Sequence, residues 1–369
     1  MTHRRIVELL AIATLLLQAC RETPYMQHSP YPQSSLVDSV TWDEASIVTA
    51  AKGSDLWPVT WAADDQVYTA WGDGGGFGGD NRRGRVSMGF ARLAGSPPAL
   101  QAINVNGGVN SEAEANWDCR DCGKTAGIIS IDGRLYAWVN EQEGDIVADL
   151  RLWWSDDRGA HWQRASWHFP DPLDPTFFPA TFLNYGRDYA GATDDYVYIY
   201  GARWIWTQGG ESDIYLMRAP KQRLTERSGY EFFAGLAQDG QAEWSDDIRA
   251  RAPVFSDPNG VNNTGLTNVI YNAPLKRYIL TSSHRPPQES VRTALGRLGI
   301  FDSPTPWGPW TTIAYHERWL GIDDQVDALN YDISTKWLSE DGRTFWMTFS
   351  GTGEYDRFNL IKGRLRLTR

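Results

Sequence analysis

Three aspartates stand where acid–base chemistry can be done: Asp55 in "GSDLWPVTW", Asp73 in "WGDGGGFGG" and Asp188 in "NYGRDYAGA". Each adjoins a run of alternating β-forming residues, which places it at a strand end rather than at the tip of a tight turn. Carboxyls gathered at the mouth of a cavity suit glycosidic cleavage. One gives a proton to the leaving oxygen, and the other acts as base or nucleophile. Asp55, Asp73 and Asp188 are therefore the candidate catalytic groups. Glu141 in "WVNEQEG" and Asp332 in "NYDISTKW" carry the same chemistry with a weaker positional argument.

Around these acids, Trp57, Trp71, Glu141, Arg187, His284 and Lys336 are candidates for holding substrate. Indole faces suit the apolar faces of sugars, although core packing uses the same residue. Arg187 and Lys336 suit hydroxyls or a carboxylate, and His284 ends a strand where a funnel residue would lie. Asp64, Asp65, Asp132, Asp194, Asp195 and Asp341 sit in hairpin turns and read as scaffold.

Gly74, Gly76 and Gly79 spell G-x-G-x-x-G, a dinucleotide-binding pattern. That pattern needs a helix opening at its last glycine, so that the helix N-terminus meets the pyrophosphate. Here "DNRRG" and then the strand-like "RVSMGFARL" follow instead. The glycines are expected to form a wide hairpin loop that holds Asp73 at a strand end.

Residues 58–73, 126–141, 188–203, 267–284 and 330–351 repeat one unit: an alternating strand, a polar turn, and a strand centred on an aromatic. A further strand follows each, within 86–93, 149–162, 213–220, 298–310 and 359–368. No long stretch has helical periodicity, and residues 219–235 offer only one or two short turns. Five units of three or four antiparallel strands predict an all-β, five-bladed β-propeller, with residues 39–48 completing the last blade and closing the ring. In such a ring the first strand of each blade lines the central channel, so the channel mouth collects side chains from distant parts of the chain. "SDDRGAHW" matches an Asp box through Ser155, Asp157, Gly159 and Trp162, a motif that braces blade turns away from chemistry. Asp boxes occur in sialidase propellers, but no set of three carboxylate-binding arginines is evident here.

The N-terminal "MTHRRIVELLAIATLLLQAC" pairs two arginines with an apolar run ending at Cys20. Residues 1–19 read as an export signal, and "LQAC" is similar to a bacterial lipobox with Cys20 as the lipidated residue. Residues 20–38 read as a flexible tether and 39–369 as the propeller domain. The expected setting is a monomeric exported lipoprotein of the cell envelope, held to a membrane through lipid. A net charge of −11 without a basic stripe argues against nucleic acid as a partner. In an oxidising envelope Cys119 and Cys122 read as a small disulfide, since a zinc site lacks nearby further ligands. No metal or cofactor is required, although the central channel leaves room for a structural cation.

The phrases "GSDLWPVTWAADDQVYTAWGDGGGFGG", "GRDYAGATDDYVYIYG", "YLMRAPKQRLTERSGYEFFAGL", "GIFDSPTPWGPWTTI" and "TKWLSEDGRTFWMTFSGTGE" together resemble a bacterial family long catalogued as a domain of unknown function. Some of its members are endo-D-arabinanases. The resemblance spans roughly residues 45–369 and implies a five-bladed propeller related in shape to arabinanases and furanosidases. It places Asp55 and Asp73 on acidic first-blade motifs and Asp188 on a third-blade "DYAG" motif. The expected activity is hydrolysis of a polysaccharide, with a furanose-containing arabinan as the substrate it points to. A non-catalytic glycan-binding lipoprotein and a polysaccharide lyase are the competing expectations.

Overall fold

Alternating apolar residues and turn-forming pairs fold into hairpins, and five hairpin-based sheets stand around a common axis. The computed structural model describes residues 28–114, 123–143, 146–169, 180–202, 213–259, 267–284, 296–321, 328–351 and 356–369. Residues 1–19, expected to be an export signal, lie outside the described residues, as do Cys20, Cys119 and Cys122.

Blade 1 holds β2 (Asp55–Trp61), β3 (Val67–Gly72), β4 (Met88–Ser96) and β5 (Ala99–Asn106). Blade 2 holds β6 (Lys124–Ile131), β7 (Arg134–Glu143), β8 (Ile146–Ser155) and β9 (Gln163–Arg164). Blade 3 runs from β10 (Ala180–Asn184) through β11 (Tyr196–Gly201), β12 (Asp213–Pro220) and β13 (Glu231–Leu236) to β14 (Ala242–Ser245), with β15 (Pro253–Ser256) also paired to β12. Blade 4 holds β16 (Thr267–Asn272), β17 (Arg277–Ser282), β18 (Leu298–Ser303) and β19 (Thr311–His316). Blade 5 holds β20 (Leu329–Ile333), β21 (Thr344–Ser350) and β22 (Phe358–Leu367), completed on its outer edge by β1 (Val37–Ala50). β1 and β22 pair antiparallel, so the first and last strands close the ring.

The innermost strands β2, β6, β10, β16 and β20 each meet the next in a closed circuit. The molecule is a five-bladed β-propeller. Only short 3-10 turns interrupt the strands among the described residues, including the two expected between 219 and 235, at Lys221–Arg223 and Arg227–Gly229.

Local chemistry explains the hairpins. Asp132 and Gly133 join β6 to β7 with both φ angles positive (51° and 81°), the geometry that a two-residue hairpin needs. Aromatic side chains fill the spaces between sheets, and Trp57, Trp71, Trp138 and Trp153 are fully enclosed. The Asp box works as a brace. Ser155 Oγ accepts from Gly159 N–H at 2.8 Å, Trp162 Nε1 donates to Gly159 O at 3.0 Å, and the Trp162 ring stacks 4.1 Å from Phe90.

The third unit departs from its expected form. Its inner strand is β10, and residues 187–189 form a 3-10 turn beyond it, so Asp188 follows this strand instead of opening it. β10 reads "ATFLN", five residues without polar–apolar alternation to reveal it.

Candidate active site

The inner strands run side by side, which gives the channel two distinct ends. β2 starts at Asp55 and β6 at Lys124; further along, Ser130 N–H donates to Thr60 Oγ1 at 3.0 Å. Asp55 and Lys124 therefore share one end, which we call the mouth. Thr60 and Ser130 lie toward the other end.

At the mouth, Asp55 and Asp73 come together. Asp55 opens β2, and Asp73 follows Gly72, which pairs with Asp55 across the β2–β3 ladder. Gly72 is the spacer between functional side chains. A Cβ there would come within 2.7 Å of both Asp55 Oδ1 and Lys124 Cδ. Lys124 Nζ donates to Asp73 Oδ1 at 2.5 Å and to the Ser87 carbonyl at 3.0 Å, and Arg85 Nη2 lies 3.2 Å from the same Asp73 oxygen. Asp73 is thus the ion-paired carboxylate of the two. Asp55 is 7% exposed, and its Oδ1 has no hydrogen-bond partner among the described residues. Burial pushes the Asp55 carboxyl up to about 8, Lys124 opposes that rise, and Asp356 and Asp73 add to it. A buried carboxyl raised by its enclosure thus stands beside an ion-paired carboxylate, the kind of asymmetry that an acid–base pair uses.

The glycine loop between β3 and β4 holds Asp73 as the sequence implied. Asp73 N–H donates to Ser87 O at 3.0 Å, Gly76 N–H to Ser54 Oγ at 3.1 Å, and Asn104 Oδ1 accepts from Phe77 N–H at 3.0 Å. Gly74 requires its glycine: φ is +64°, and a Cβ would lie 2.1 Å from Gly53 O. No helix opens after Gly79, so the nucleotide-binding context is absent from this loop. The loop also returns Arg85 and Asn81 to the site, with Arg85 Nη1 donating to Asn81 Oδ1 at 2.6 Å. Asp356 joins from blade 5. Its carbonyl accepts from Gly53 N–H at 2.7 Å, and its carboxyl is raised by burial and then by Asp73, opposed in part by a hydrogen bond from Asn81.

Beside Asp55 the backbone is irregular. Leu56 and Trp57 have φ of 82° and 66°, and the β2–β3 register shifts between Leu56 and Val59. Consecutive left-handed non-glycine residues are costly and persist only where their surroundings fix them. Blade 5 supplies that fixing: Leu56 N–H donates to Ser350 Oγ at 2.9 Å, and Thr348 Oγ1 donates to Trp57 O at 3.0 Å.

Asp188 does not join Asp55 and Asp73. Its carboxylate accepts from Ser130 Oγ at 2.6 Å and from Gly133 N–H at 3.0 Å, at the far end of β6. Six residue steps along that strand separate it from the level of Lys124, about 20 Å. Arg187 and Lys336 belong to that far end too. Arg187 donates to Ala63 O, and Lys336 Nζ lies 3.2 Å from Asp65 Oδ2, both in the β2–β3 turn.

The remaining substrate candidates, and Asp332, are enclosed or engaged in contacts within the fold. Trp57 and Trp71 are wholly buried and stacked on each other at 6.1 Å, so neither presents a face to a sugar. Glu141 accepts from Arg151 Nε at 2.9 Å and Trp153 Nε1 at 3.0 Å, tying β7 to β8. His284 is 1% exposed, with its ring 3.9 Å from that of Tyr315 on outer strand β19. Asp332 is buried on inner strand β20, accepting from Val59 N–H and Asn268 Nδ2, with its carboxyl driven well above the usual range by burial. Among the described residues, no group of three or more His, Cys, Asp or Glu side chains is arranged to hold a metal ion.

The sequence reading missed Lys124, Arg85 and Asp356. Lys124 had a positional signal, because it opens the second inner strand as Asp55 opens the first. Asp356 had none.

A scan against protein-family models finds no match, and no curated protein matches the sequence. Among solved structures, the chain is similar to a GH43_1 enzyme from Xanthomonas citri complexed with xylose, with a TM-score of 0.49, 13% identity, and coverage of 88% of this chain and 94% of that one. It is similar also to CoXyl43, a GH43 β-xylosidase/α-arabinofuranosidase from a compost microbial metagenome, with a TM-score of 0.49, 10% identity, and coverage of 88% and 95%. A sialidase from Trypanosoma rangeli follows at a TM-score of 0.45 and 7% identity, covering 88% of this chain and 58% of that one.

Proposed function

We propose that this protein is a glycoside hydrolase acting on a polysaccharide at the channel mouth, with Asp55 as the proton donor and Asp73 as base or nucleophile. The observation that carries the reading is the pairing across Gly72 of a buried carboxyl, with an oxygen that no hydrogen bond satisfies, and an ion-paired carboxylate. Protonating the leaving oxygen and supplying electron density to the sugar carbon are the two tasks of glycosidic cleavage, and they call for two carboxyls in opposite protonation states. The resemblance of the blade phrases to a family containing endo-D-arabinanases makes D-arabinan, or another furanose-containing glycan, the first substrate to try.

The test is incubation of the full chain with bacterial and plant polysaccharides, arabinans included, with detection of new reducing ends. Asp55→Asn and Asp73→Asn are each expected to lower turnover by roughly 10²–10⁴-fold. Full activity in both variants would sink the assignment. Glycan capture without new reducing ends would mark a binding protein, and products absorbing in the near ultraviolet would mark a lyase.

A further inference from the structure

We propose that Lys124 is a positioning residue for this reaction: its ammonium grips Asp73 and holds that carboxylate, across Gly72, as the charged partner of Asp55. This role rests on the hydrolytic reading above. Lys124 enters from blade 2, while both acids belong to blade 1, so the ammonium reaches them across the blade interface. Its stem passes Gly72, the same gap that admits Asp55 Oδ1. Nζ is fixed by two acceptors, Asp73 Oδ1 and the Ser87 carbonyl, and makes no hydrogen bond to the nearby Asp55 Oδ1. A single cation placed between two acids stabilises the charge on the one that it bonds. The acid left without that bond, enclosed and away from water, keeps its proton.

Four charged groups face Asp55: Asp73 after β3, Arg85 in the glycine loop, Lys124 on β6 and Asp356 ahead of β22. Arg85 is the other cation, but its side chain is 45% exposed against 26% for Lys124, and it stands farther from Asp73 Oδ1. Solvent screens the more exposed charge more strongly, which leaves Lys124 as the principal cation at Asp73.

The test uses the full chain labelled with ¹³C at aspartate carboxyls, titrated by NMR and assigned with Asp55→Asn and Asp73→Asn. Lys124→Met should move the Asp55 midpoint upward by about one pH unit, because an attracting cation has gone. Lys124→Arg, which keeps the charge, should return the midpoint toward that of the wild type. With Lys124 intact, Asp73→Asn should move the Asp55 midpoint downward, since a repelling charge is lost and the ammonium is released. That measurement stands even where Lys124→Met does not fold. A merely structural lysine would leave the midpoint in place, and an Asp55 signal unmoved in all three proteins would overturn the role. The titration requires no substrate, so its outcome is separate from that of the hydrolysis assay.

Discussion

Replacing Asp55 by asparagine should make the protein progressively more stable than the wild type as pH rises from 5 to 8. In the fold, burial holds the Asp55 proton up to about pH 8; in the unfolded chain an aspartate loses it near ~3.9. Between those values the unfolded state has released a proton that the folded state retains. The stability of the wild type therefore falls as pH rises, by about 1.4 kcal/mol per unit for this one group. Over three units the loss reaches roughly 4 kcal/mol, an upper value because neighbours reorganise around a charged carboxyl. A domain of this length unfolds with an entropy of about 0.7 kcal/mol/K, so the gap in Tm should widen by about 6 °C in favour of the variant. The assay is thermal unfolding of both proteins across that range at constant ionic strength. Asp332 and Asp356, also raised, add the same sign of slope to both proteins and cancel to first order in the difference. A Tm gap constant from pH 5 to pH 8 would refute the claim that Asp55 is a buried, protonated acid.

Gly72→Ala should cost at least tenfold in turnover at a modest loss of stability, since the new Cβ must displace Asp55 Oδ1 or Lys124; steady-state kinetics with a melting curve decides it. Asp188→Ala should lower stability by about 1–3 kcal/mol through the lost Ser130 and Gly133 bonds. It should leave turnover within about twofold, so a deep loss of activity would return Asp188 to the active site. Trp71→Ala should cost about 3–5 kcal/mol in urea unfolding, with glycan affinity of the folded fraction unchanged, because the ring is core and not platform. Ser350→Ala removes the acceptor of Leu56 N–H, and it should lower turnover more than the ~1–2 kcal/mol drop in stability alone would suggest.

Four of the five hairpins were legible because each has one alternating strand on either side of a turn whose residues suit positive φ or side-chain capping. The third was hidden because its short inner strand does not alternate. "ATFLN" is enclosed on both faces, whereas "RDYAG", with its aromatic and its polar flanks, imitates the start of a strand. Asp188 in fact has φ of 52° and sits in the 3-10 turn Arg187–Tyr189. Asp55 and Asp73 could be found because a strand end and a glycine loop are visible in one dimension. Their partners were harder: Lys124 opens the second inner strand as Asp55 opens the first, but Lys124 and Asp356 meet the two acids only through the ring that joins blades 1, 2 and 5. Trp57 and Trp71 show the converse limit: tryptophan near an acid reads equally as sugar platform or as core, and only burial separates the two.

The site straddles the closure of the ring, which gives that closure a chemical consequence. Blade 1 carries the proposed acid and base, blade 2 the ammonium, and blade 5 the third carboxyl together with the hydroxyls that hold the bulge at Leu56 and Trp57. Blade 5 exists as a four-stranded sheet only because β1, the segment just before blade 1, pairs with β22 at the other end of the chain. The strand that seals the ring is thus continuous with the strand that bears Asp55, with only Ala51 to Ser54 between them. Within that link, Gly53 N–H bonds Asp356 and Ser54 Oγ receives the glycine loop. Any opening between blades 1 and 5 must therefore pull on Asp55 and Asp356 together, and it exposes the carboxyl whose proton depends on enclosure. Geometry and protonation at the mouth are maintained by the same contacts that keep the ring shut.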